Sequence, residues 1–295
     1  LPKIIDHFKP IGPLADHVAL EAGVDAKQVP VVYPTSDDQA AGLVGGGAVD
    51  DGQVAVILGN SAVVNSSSNQ LPSRGSLDVM KLNWGPYLWM RCYNNGAQFV
   101  DMVTGSKPTW SADQWATLEK QARKAGAGAK GHAVWPFVHP EPSLKVSEPD
   151  LRWLGDEPKQ PGVRYRAAIE ALAYLIALGV REHERAGQTI TRITVSGGIA
   201  RSDLMCEVLA TVLGRRVERL ASDEGPALGA AVTALAAHET NLRRQAGVKA
   251  PFTVGDAVTS MVRFRGSVDP VDEWRDAYAK GLRDFEQRLK ESRRK

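Results

Sequence analysis

One apolar segment has the pattern of a strand that is buried on both faces, and another predicts a second strand. Residues 54–58 are all apolar, and residues 190–195 combine apolar and β-branched side chains with one arginine, Arg192. Short runs of this kind, bounded by turn residues, are typical of strands that helices cover on both sides. Residues 63–64 resume the apolar pattern after a Gly-Asn-Ser break, which predicts a hairpin at that point.

Longer segments carry apolar residues at the three- and four-residue spacing of helices. The clearest is 163–185, where alanine, leucine and isoleucine side chains form a broad apolar face. Strands and helices alternate along the chain, so the pattern predicts an α/β fold. Further helices are expected at 14–22, 111–125, 202–213, 227–237 and from Trp274 onward, and a small-residue helix is expected to follow the polar loop 35–41 and to end at the glycines 45–47. Further strands are expected at 29–33, 133–138 and 216–220.

Composition and charge narrow the class of protein. The chain has 295 residues, with 36 Lys and Arg against 34 Asp and Glu, and a net charge of +2. That balance gives no sign of a nucleic-acid or membrane-surface partner. Cys92 and Cys206 are too few for a disulfide scaffold and lie in no metal-ligand spacing. Since no stretch approaches the ~20 apolar residues of a membrane span, we expect a soluble cytoplasmic protein.

Two glycine-containing segments could bring the backbone close to a ligand, and each also has a plainer structural explanation. Gly59, Asn60 and Ser61 could wrap a phosphate through backbone N–H groups, or could simply turn a hairpin. Gly197 and Gly198 lie between a predicted strand and a predicted helix, where a phosphate can meet the amides of a helix N-terminus. A purely structural turn would have the same residues.

A third segment begins a helix of small residues. Gly225, Leu228 and Gly229 permit either close helix packing or the close approach of a flat ligand such as an adenine ring. A carboxylate is also needed if an alcohol is to become a nucleophile, because its proton must be accepted in the transition state. Asp37, in a loop directly after a predicted strand, is the best-placed candidate, although exposed loop aspartates are common.

The order of these pieces is more specific than any one of them. The chain shows Asp-x-Gln-Ala-Ala, a strand–Gly-x-Ser–strand hairpin, a strand–Gly-Gly–helix unit and Ala-Leu-Gly-Ala-Ala in turn. In this order the sequence resembles the FGGY carbohydrate kinases, and within that family it is most similar to the xylulokinase branch. The segments that carry the resemblance are 36–41, 58–64, 166–170, 197–202 with 209–214, and 225–231.

The resemblance implies an actin-like fold, in which two RNase H-like α/β domains hold ATP and a sugar in the cleft between them. It implies that residues 1–48 are the closing segment of the N-terminal kinase domain and that residues 49–295 are the C-terminal nucleotide-binding domain. The rest of the N-terminal domain, with most sugar contacts and one phosphate loop, is then expected to be a missing partner.

The resemblance also implies roles for individual residues. The matching positions are Asp37 as the base that takes the sugar hydroxyl proton, Gly59, Asn60 and Ser61 as a phosphate loop, Gly197, Gly198 and Ala200 as the nucleotide-binding loop, and Gly225, Leu228 and Gly229 on the adenosine side. Asn60 stands where the family usually has Thr, and Ile199 replaces a third glycine. Because a β-branched residue is strained at positive φ, either Ile199 has an ordinary φ or the local turn differs.

The implied reaction is transfer of the γ-phosphoryl group of ATP, with Mg²⁺, to a hydroxyl of a sugar or polyol, a ketopentose such as xylulose first. No residue is assigned to the metal. Residues 136–142 lack the family's Gly-Glu-Arg-x-Pro pattern, which bears on the identity of the sugar, and His139 is expected to be an ordinary loop histidine.

Two other functions are compatible with the same motifs. One is a non-catalytic actin-like module that binds nucleotide or a partner, which Asn60 and Ile199 favour somewhat. A weaker one is an actin-like kinase of another branch, for acetate or a hexose. If the chain is the C-terminal half of a sugar kinase, we expect it by itself to bind nucleotide weakly, to phosphorylate no sugar and to self-associate, as a homo-oligomer, through an exposed apolar surface.

Overall fold

A mixed β-sheet runs through the middle of the computed structural model, which describes residues 5–25, 27–107 and 109–292. The strands are β1 (Gly12–Pro13), β2 (Val31–Val32), β3 (Gln53–Leu58), β4 (Ala62–Ser68), β5 (Asp78–Lys81), β6 (Tyr87–Tyr93), β7 (Val134–Phe137), β8 (Asp150–Trp153), β9 (Arg192–Ser196), β10 (Val217–Leu220) and β11 (Phe264–Val268). Within those residues the main sheet has seven strands in the order β11-β10-β9-β3-β4-β6-β5. The pairs β1–β2 and β7–β8 lie outside it.

Helices cover both faces of this sheet. They are α1 (Asp16–Glu21), α2 (Asp38–Gly45), α3 (Ala97–Thr104), α4 (Ala112–Ala125), α5 (Pro161–Arg185), α6 (Asp203–Leu213), α7 (Gly225–Gln245), α8 (Val254–Met261) and α9 (Arg275–Ser292). Alternate residues of a strand point to opposite faces. Val54 and Val56 accordingly join the large core formed with α3, α4, α5, α6 and α9, whereas Ala55 joins a smaller core beneath α2. The buried residues of α7 and α8 share a third core with Val44 of α2.

The centre of the sheet is parallel, and this decides where a site can form. Strand β9 pairs in parallel with both β3 and β10, while the remaining pairs of the main sheet are antiparallel. Ile57 of β3 lies opposite Ser196 of β9, so these two strands end together. The loops that follow β3, β9 and β10 therefore leave the sheet at one edge, the edge at which open α/β sheets bind ligands.

The predicted α/β class and most of the predicted elements are confirmed, with ends shifted by a few residues. Ser111 caps α4 in a capping box with Gln114, and the hydroxyl of Ser202 caps α6 by accepting from the Met205 N–H. Helix α7 runs to Gln245, well past the predicted end at residue 237.

Several elements were not predicted, namely β1, α3, β5, β6, β8, α8 and β11. The segment that holds most of them is rich in Trp, Pro and Gly, and its hydrophobic period is unclear. Strand β6 is stabilised by pairing along its whole length with β4, which is information that a local pattern lacks.

The N-terminal segment is not separate from the sheet. All of residues 40–45 in α2 are buried, against α7 and against the sheet. The predicted boundary at residue 48 would thus follow a helix that packs on the second segment, and the division into domains stays a prediction. Among the helices in the described ranges, none combines the length and the apolar character of a bilayer span.

Candidate active site

Three loops meet at the carboxyl edge of the parallel strands. They are the first loop (residues 59–61, after β3), the second loop (residues 197–201, after β9) and the third loop (residues 221–224, between β10 and α7). Gly197 has φ +98° and lies so close to β3 that a Cβ atom there would be 2.4 Å from the Leu58 carbonyl oxygen. A Cβ atom on Gly225 would lie 3.4 Å from the Ser196 hydroxyl oxygen. The structure therefore brings the three predicted segments together.

The first loop is a tight hairpin turn that a helix N-terminus supports. The N–H of Gly59 donates to the carbonyl of Ser61 at 3.1 Å, and the Gly59 carbonyl accepts from the N–H of Ala97, at the start of α3, at 2.7 Å. Gly96 contacts the same turn, because a Cβ atom there would lie 2.5 Å from the Gly59 oxygen. Asn60 is exposed at the tip. The turn is thus held by hydrogen bonds and by contact with Gly96 on one side, and its tip is exposed to solvent.

A buried carboxylate, Glu141, holds the segment beside that turn. It accepts from the Asn94 N–H at 2.7 Å, from the Asn95 side-chain amide at 3.3 Å and from the Ser143 hydroxyl at 2.8 Å. Because Asn94 and Asn95 precede Gly96, Glu141 fixes the backbone that abuts the first loop. Sequence reasoning gave it no role, and its only local signal is a Glu between two prolines after an apolar strand.

His139 shares this neighbourhood without a side-chain contact. Its backbone N–H donates to the Asn95 side chain at 2.8 Å and its carbonyl accepts from the same side chain at 3.1 Å. The imidazole is exposed. This arrangement fits the expected loop histidine.

The second loop is a 3-10 turn over Gly198–Arg201. Ile199 is not among the described residues with positive φ, so the expectation of an ordinary φ at this position is confirmed. Gly198 is exposed, and a Cβ atom on it would meet nothing within 4 Å. Ala200 is buried in the large core, its N–H donates to the Gly197 carbonyl, and its carbonyl accepts from Arg219 and Arg265. Gly198 is the member of this loop that faces open space.

The third predicted segment, at the start of α7, packs against α2. A Cβ atom on Gly229 would lie 1.8 Å from the Ala41 carbonyl oxygen, and one on Gly45 would lie 1.8 Å from the Gly225 carbonyl oxygen. Leu228 is half-buried beside the core that α7 shares with α8. These contacts account for Gly45 and Gly229 as packing residues, whereas a Cβ atom on Gly225 would come no closer than 3.4 Å to another atom. The place of Gly225, Leu228 and Gly229 beside a nucleotide stays a prediction.

Asp37 is the N-cap of α2 and is exposed. One of its carboxylate oxygens accepts from the N–H of Ala40 at 2.8 Å, and no other described residue hydrogen-bonds to this side chain. The Ser36 hydroxyl beside it is buried without a hydrogen-bond partner. The other carboxylate oxygen is therefore available to a ligand.

A hydrogen bond places the start of α2 over the strand that follows the first loop. The side-chain amide of Asn65 on β4 donates to the Gln39 carbonyl at 3.1 Å. Burial raises the pKa of the Cys92 thiol on β6, and a hydrogen bond with Ser61 of the first loop opposes that rise. The proximity of Asp37 itself to the first loop stays a prediction.

Comparison with known proteins agrees with this arrangement. Residues 102–238 match the model of the FGGY family of carbohydrate kinases, C-terminal domain. The xylulose kinase of Bacillus subtilis strain 168 is 24% identical over 246 residues, which are 79% of this chain and 47% of that protein. The chain is thus similar to the FGGY carbohydrate kinases, and the family match lies in their C-terminal domain.

Other FGGY relatives and solved structures give the same picture. The xylulose kinase of Escherichia coli strain K12 is 29% identical over 239 residues, 78% of this chain and 48% of that protein. The crystal structure of xylulose kinase from Rhodospirillum rubrum superposes with a TM-score of 0.75 at 23% identity, over 97% of this chain and 56% of that one. For Plasmodium falciparum glycerol kinase with ADP the TM-score is 0.70 at 14% identity, over 98% of this chain and 56% of that one.

These likenesses establish the fold and its extent. The fold is the actin-like α/β fold of the FGGY kinases, and the chain spans about half the length of the curated relatives it matches. The matched family segment includes the second loop and residues 225–229, whereas Asp37 and the first loop precede it.

Proposed function

We propose that this chain provides the nucleotide-binding part of an ATP-dependent kinase that phosphorylates a sugar hydroxyl, with a ketopentose such as xylulose as the substrate. The observation that carries this proposal is the convergence of the first and second loops at the carboxyl edge of β3 and β9 in an FGGY chain. The names of the xylulose kinase relatives support the choice of sugar.

The space over the two loops suits a polyphosphate. Gly198 faces open space, and a Cβ atom on Gly59 would meet only the Ser61 carbonyl oxygen, at an ordinary 3.7 Å. Glycine turns of this kind let anionic oxygens approach backbone N–H groups without obstruction by side chains. ATP would supply the phosphoryl group here, and residues 59–61 with Gly198 would hold its phosphates.

Asp37 is the group we assign as general base. A sugar hydroxyl is a poor nucleophile until a positioned carboxylate accepts its proton in the transition state. Asp37 is held by the Ala40 N–H through one oxygen and is otherwise exposed to solvent. In the described part of the chain no three metal-binding side chains come together, so we assign Mg²⁺ to no residue here.

The sugar contacts require a second wall for the cleft. We propose that a domain corresponding to the first half of the longer relatives provides it. The segment before α2 exposes apolar side chains that such a domain could cover, at Ile5, Ile11, Val18, Leu20 and Val31. Without that wall the phosphoryl group and the hydroxyl are not positioned for transfer.

The test is nucleotide binding with a variant at the open glycine. Gly198→Val should abolish binding of a fluorescent ATP analogue while the circular dichroism spectrum stays unchanged, because the new side chain occupies the open space. Gly255→Val is the matched control: Gly255 also has an ordinary φ and room for a side chain, and it lies on α8 outside the three loops. Equal affinity in both variants would assign Gly198 to structure alone.

A second measurement concerns turnover. The purified 295-residue chain should release no ADP above background with xylulose, ribulose or glycerol, and activity should return when a companion first half from a xylulose kinase is added. Sustained sugar-dependent ADP release by the chain alone would show that it completes a sugar site without a partner.

A further inference from the structure

The start of helix α6 is held by a carboxylate from another helix. Glu119 on α4 accepts from the backbone N–H of Leu204 at 3.0 Å through one oxygen and from the hydroxyl of Ser202 at 3.0 Å through the other. Ser202 in turn accepts from the N–H of Met205 at 3.1 Å. One side chain therefore satisfies two donors at a helix N-terminus, where negative charge is also favoured by the helix dipole.

The second loop ends where this contact begins. Residues 197–201 lead directly into Ser202, and the Ser202 N–H donates to the Ile199 carbonyl at 3.1 Å. At the other end of the loop, Gly197 lies against the Leu58 backbone. Gly198, the open residue, lies between these two fixed points. The position of Gly198 relative to the first loop thus depends on both anchors.

Two arginines hold the opposite side of the same turn. The Ala200 carbonyl accepts from Arg219 at 3.0 Å and from Arg265 at 2.6 Å, and the Arg201 carbonyl accepts from Arg219 at 2.7 Å. These contacts fix the loop to β10 and β11, and Arg219 also pairs with Asp203, the first residue of α6. Glu119 is the carboxylate that holds the two donors beside Asp203, the Ser202 hydroxyl and the Leu204 N–H.

We propose that Glu119 is a positioning residue for nucleotide binding: it holds the exit of the second loop so that Gly198 and its neighbours keep the shape that binds phosphate. This inference rests on the proposed function. Charge-assisted hydrogen bonds are stronger than neutral ones, and a loop that keeps its competent shape only part of the time binds its ligand more weakly in proportion.

The structure offers a matched control for this role. Arg123 forms salt bridges with two carboxylates, that of Glu119 at 3.1 Å and that of Glu207 at 2.6 Å. Glu207 lies on α6 and pairs with the same arginine, but its carboxylate reaches neither Ser202 nor the Leu204 N–H. Glu207→Gln therefore removes a salt bridge from this cluster and leaves the loop anchor intact.

The experiment compares Glu119→Ala, Glu119→Gln and Glu207→Gln in the full chain. In the free chain we expect backbone amides of residues 198–205 to exchange hydrogen faster in Glu119→Ala and at the wild-type rate in Glu207→Gln. With the fluorescent ATP analogue we expect about tenfold weaker binding for Glu119→Ala, the factor for a loop that is competent about a tenth of the time. Glu119→Gln keeps one oxygen acceptor and should fall between.

The outcomes separate this inference from the proposed function. Unchanged exchange at 198–205 in Glu119→Ala overturns the anchoring role, whatever the nucleotide result. Equal loss of affinity in Glu119→Ala and Glu207→Gln also overturns it, because it would indicate general destabilisation of the cluster. If the wild-type chain binds no analogue, the proposed function fails and the nucleotide role of Glu119 fails with it, while faster exchange in Glu119→Ala would still establish the anchor.

Discussion

Glycines serve opposite purposes in two neighbouring regions of this molecule. At the α2–α7 contact, Gly45 and Gly229 lie so close to the facing backbone that an added Cβ atom would be 1.8 Å from a carbonyl oxygen. At the carboxyl edge of β3 and β9, a Cβ atom on Gly198 would meet nothing within 4 Å. The first region uses glycine to bring helices together, and the second uses it to leave room.

The two regions are also joined by one helix. Helix α2 is buried from residue 40 to residue 45, and Asp37 at its N-cap is exposed. The residue that we propose as the general base is thus placed by a tightly packed contact at the other end of the same helix. Substitutions at the packed end should change stability, and substitutions at the open end should change function.

The largest effect is expected at the packed glycine. In Gly229→Val the new side chain would overlap the Ala41 carbonyl oxygen, so α2 and α7 must move apart. We expect the free energy of unfolding to fall by more than about 4 kcal/mol. Urea denaturation followed by circular dichroism measures this. Ala231→Val adds the same methyl groups to an exposed position of α7 and should cost only about 0.5 kcal/mol. Equal losses would contradict the packing role.

The open end of the same helix should behave differently. Asp37→Asn keeps a good N-cap residue, so stability should change by less than about 0.5 kcal/mol. In the kinase assembled with a companion first half, turnover should fall ~10²-fold or more, since a general base is lost. Nucleotide affinity should stay near that of the wild type. Wild-type turnover in Asp37→Asn would contradict the assignment of Asp37 as the general base.

Gly197 and Gly198, adjacent in the second loop, allow the packed and the open kind of glycine to be compared directly. Gly197→Ala meets both positive φ and the Leu58 carbonyl, and we expect it to cost about 2 kcal/mol of stability. Gly198→Ala should leave stability within about 0.5 kcal/mol, because its Cβ atom enters open space. Thermal and urea unfolding of the two variants measure the difference. If both cost the same, the contrast between packed and open glycines fails here.

The smallest effect is expected at the tip of the first loop. Asn60→Thr restores the residue usual in the family at an exposed position, so stability should change by less than about 0.5 kcal/mol. A hydroxyl donor at the tip should tighten binding of the ATP analogue about threefold, on the scale of one neutral hydrogen bond. Weaker binding would mean that the amide of Asn60 already makes that contact.

The sequence predicted the elements whose signals are local. The long apolar face of α5, the small-residue helix after Pro226 and the strand before Gly59 all have periods that a short window shows. The caps at Ser111 and Ser202 follow from residue type and position. Strands β5, β6 and β11 were missed because their stability comes from pairing with distant strands.

For the candidate site, the sequence alone determined the composition of the loops and their order, and this was enough to show the resemblance to the FGGY kinases. It did not decide which glycine faces open space. Gly197, Gly198 and Gly229 are alike in sequence, and only the close approach of the Leu58 and Ala41 backbone separates the two packed glycines from Gly198.

The supporting residues were decided by tertiary structure alone. Glu119 and Ser202 are 83 positions apart in the chain, and Glu141 reaches Asn94 across 47. Nothing in a local pattern distinguishes these two carboxylates from solvated ones, because what sets them apart is the set of donors that face them. Backbone periodicity is a short-range property, whereas hydrogen-bond satisfaction and steric contact depend on elements that meet only when the chain folds.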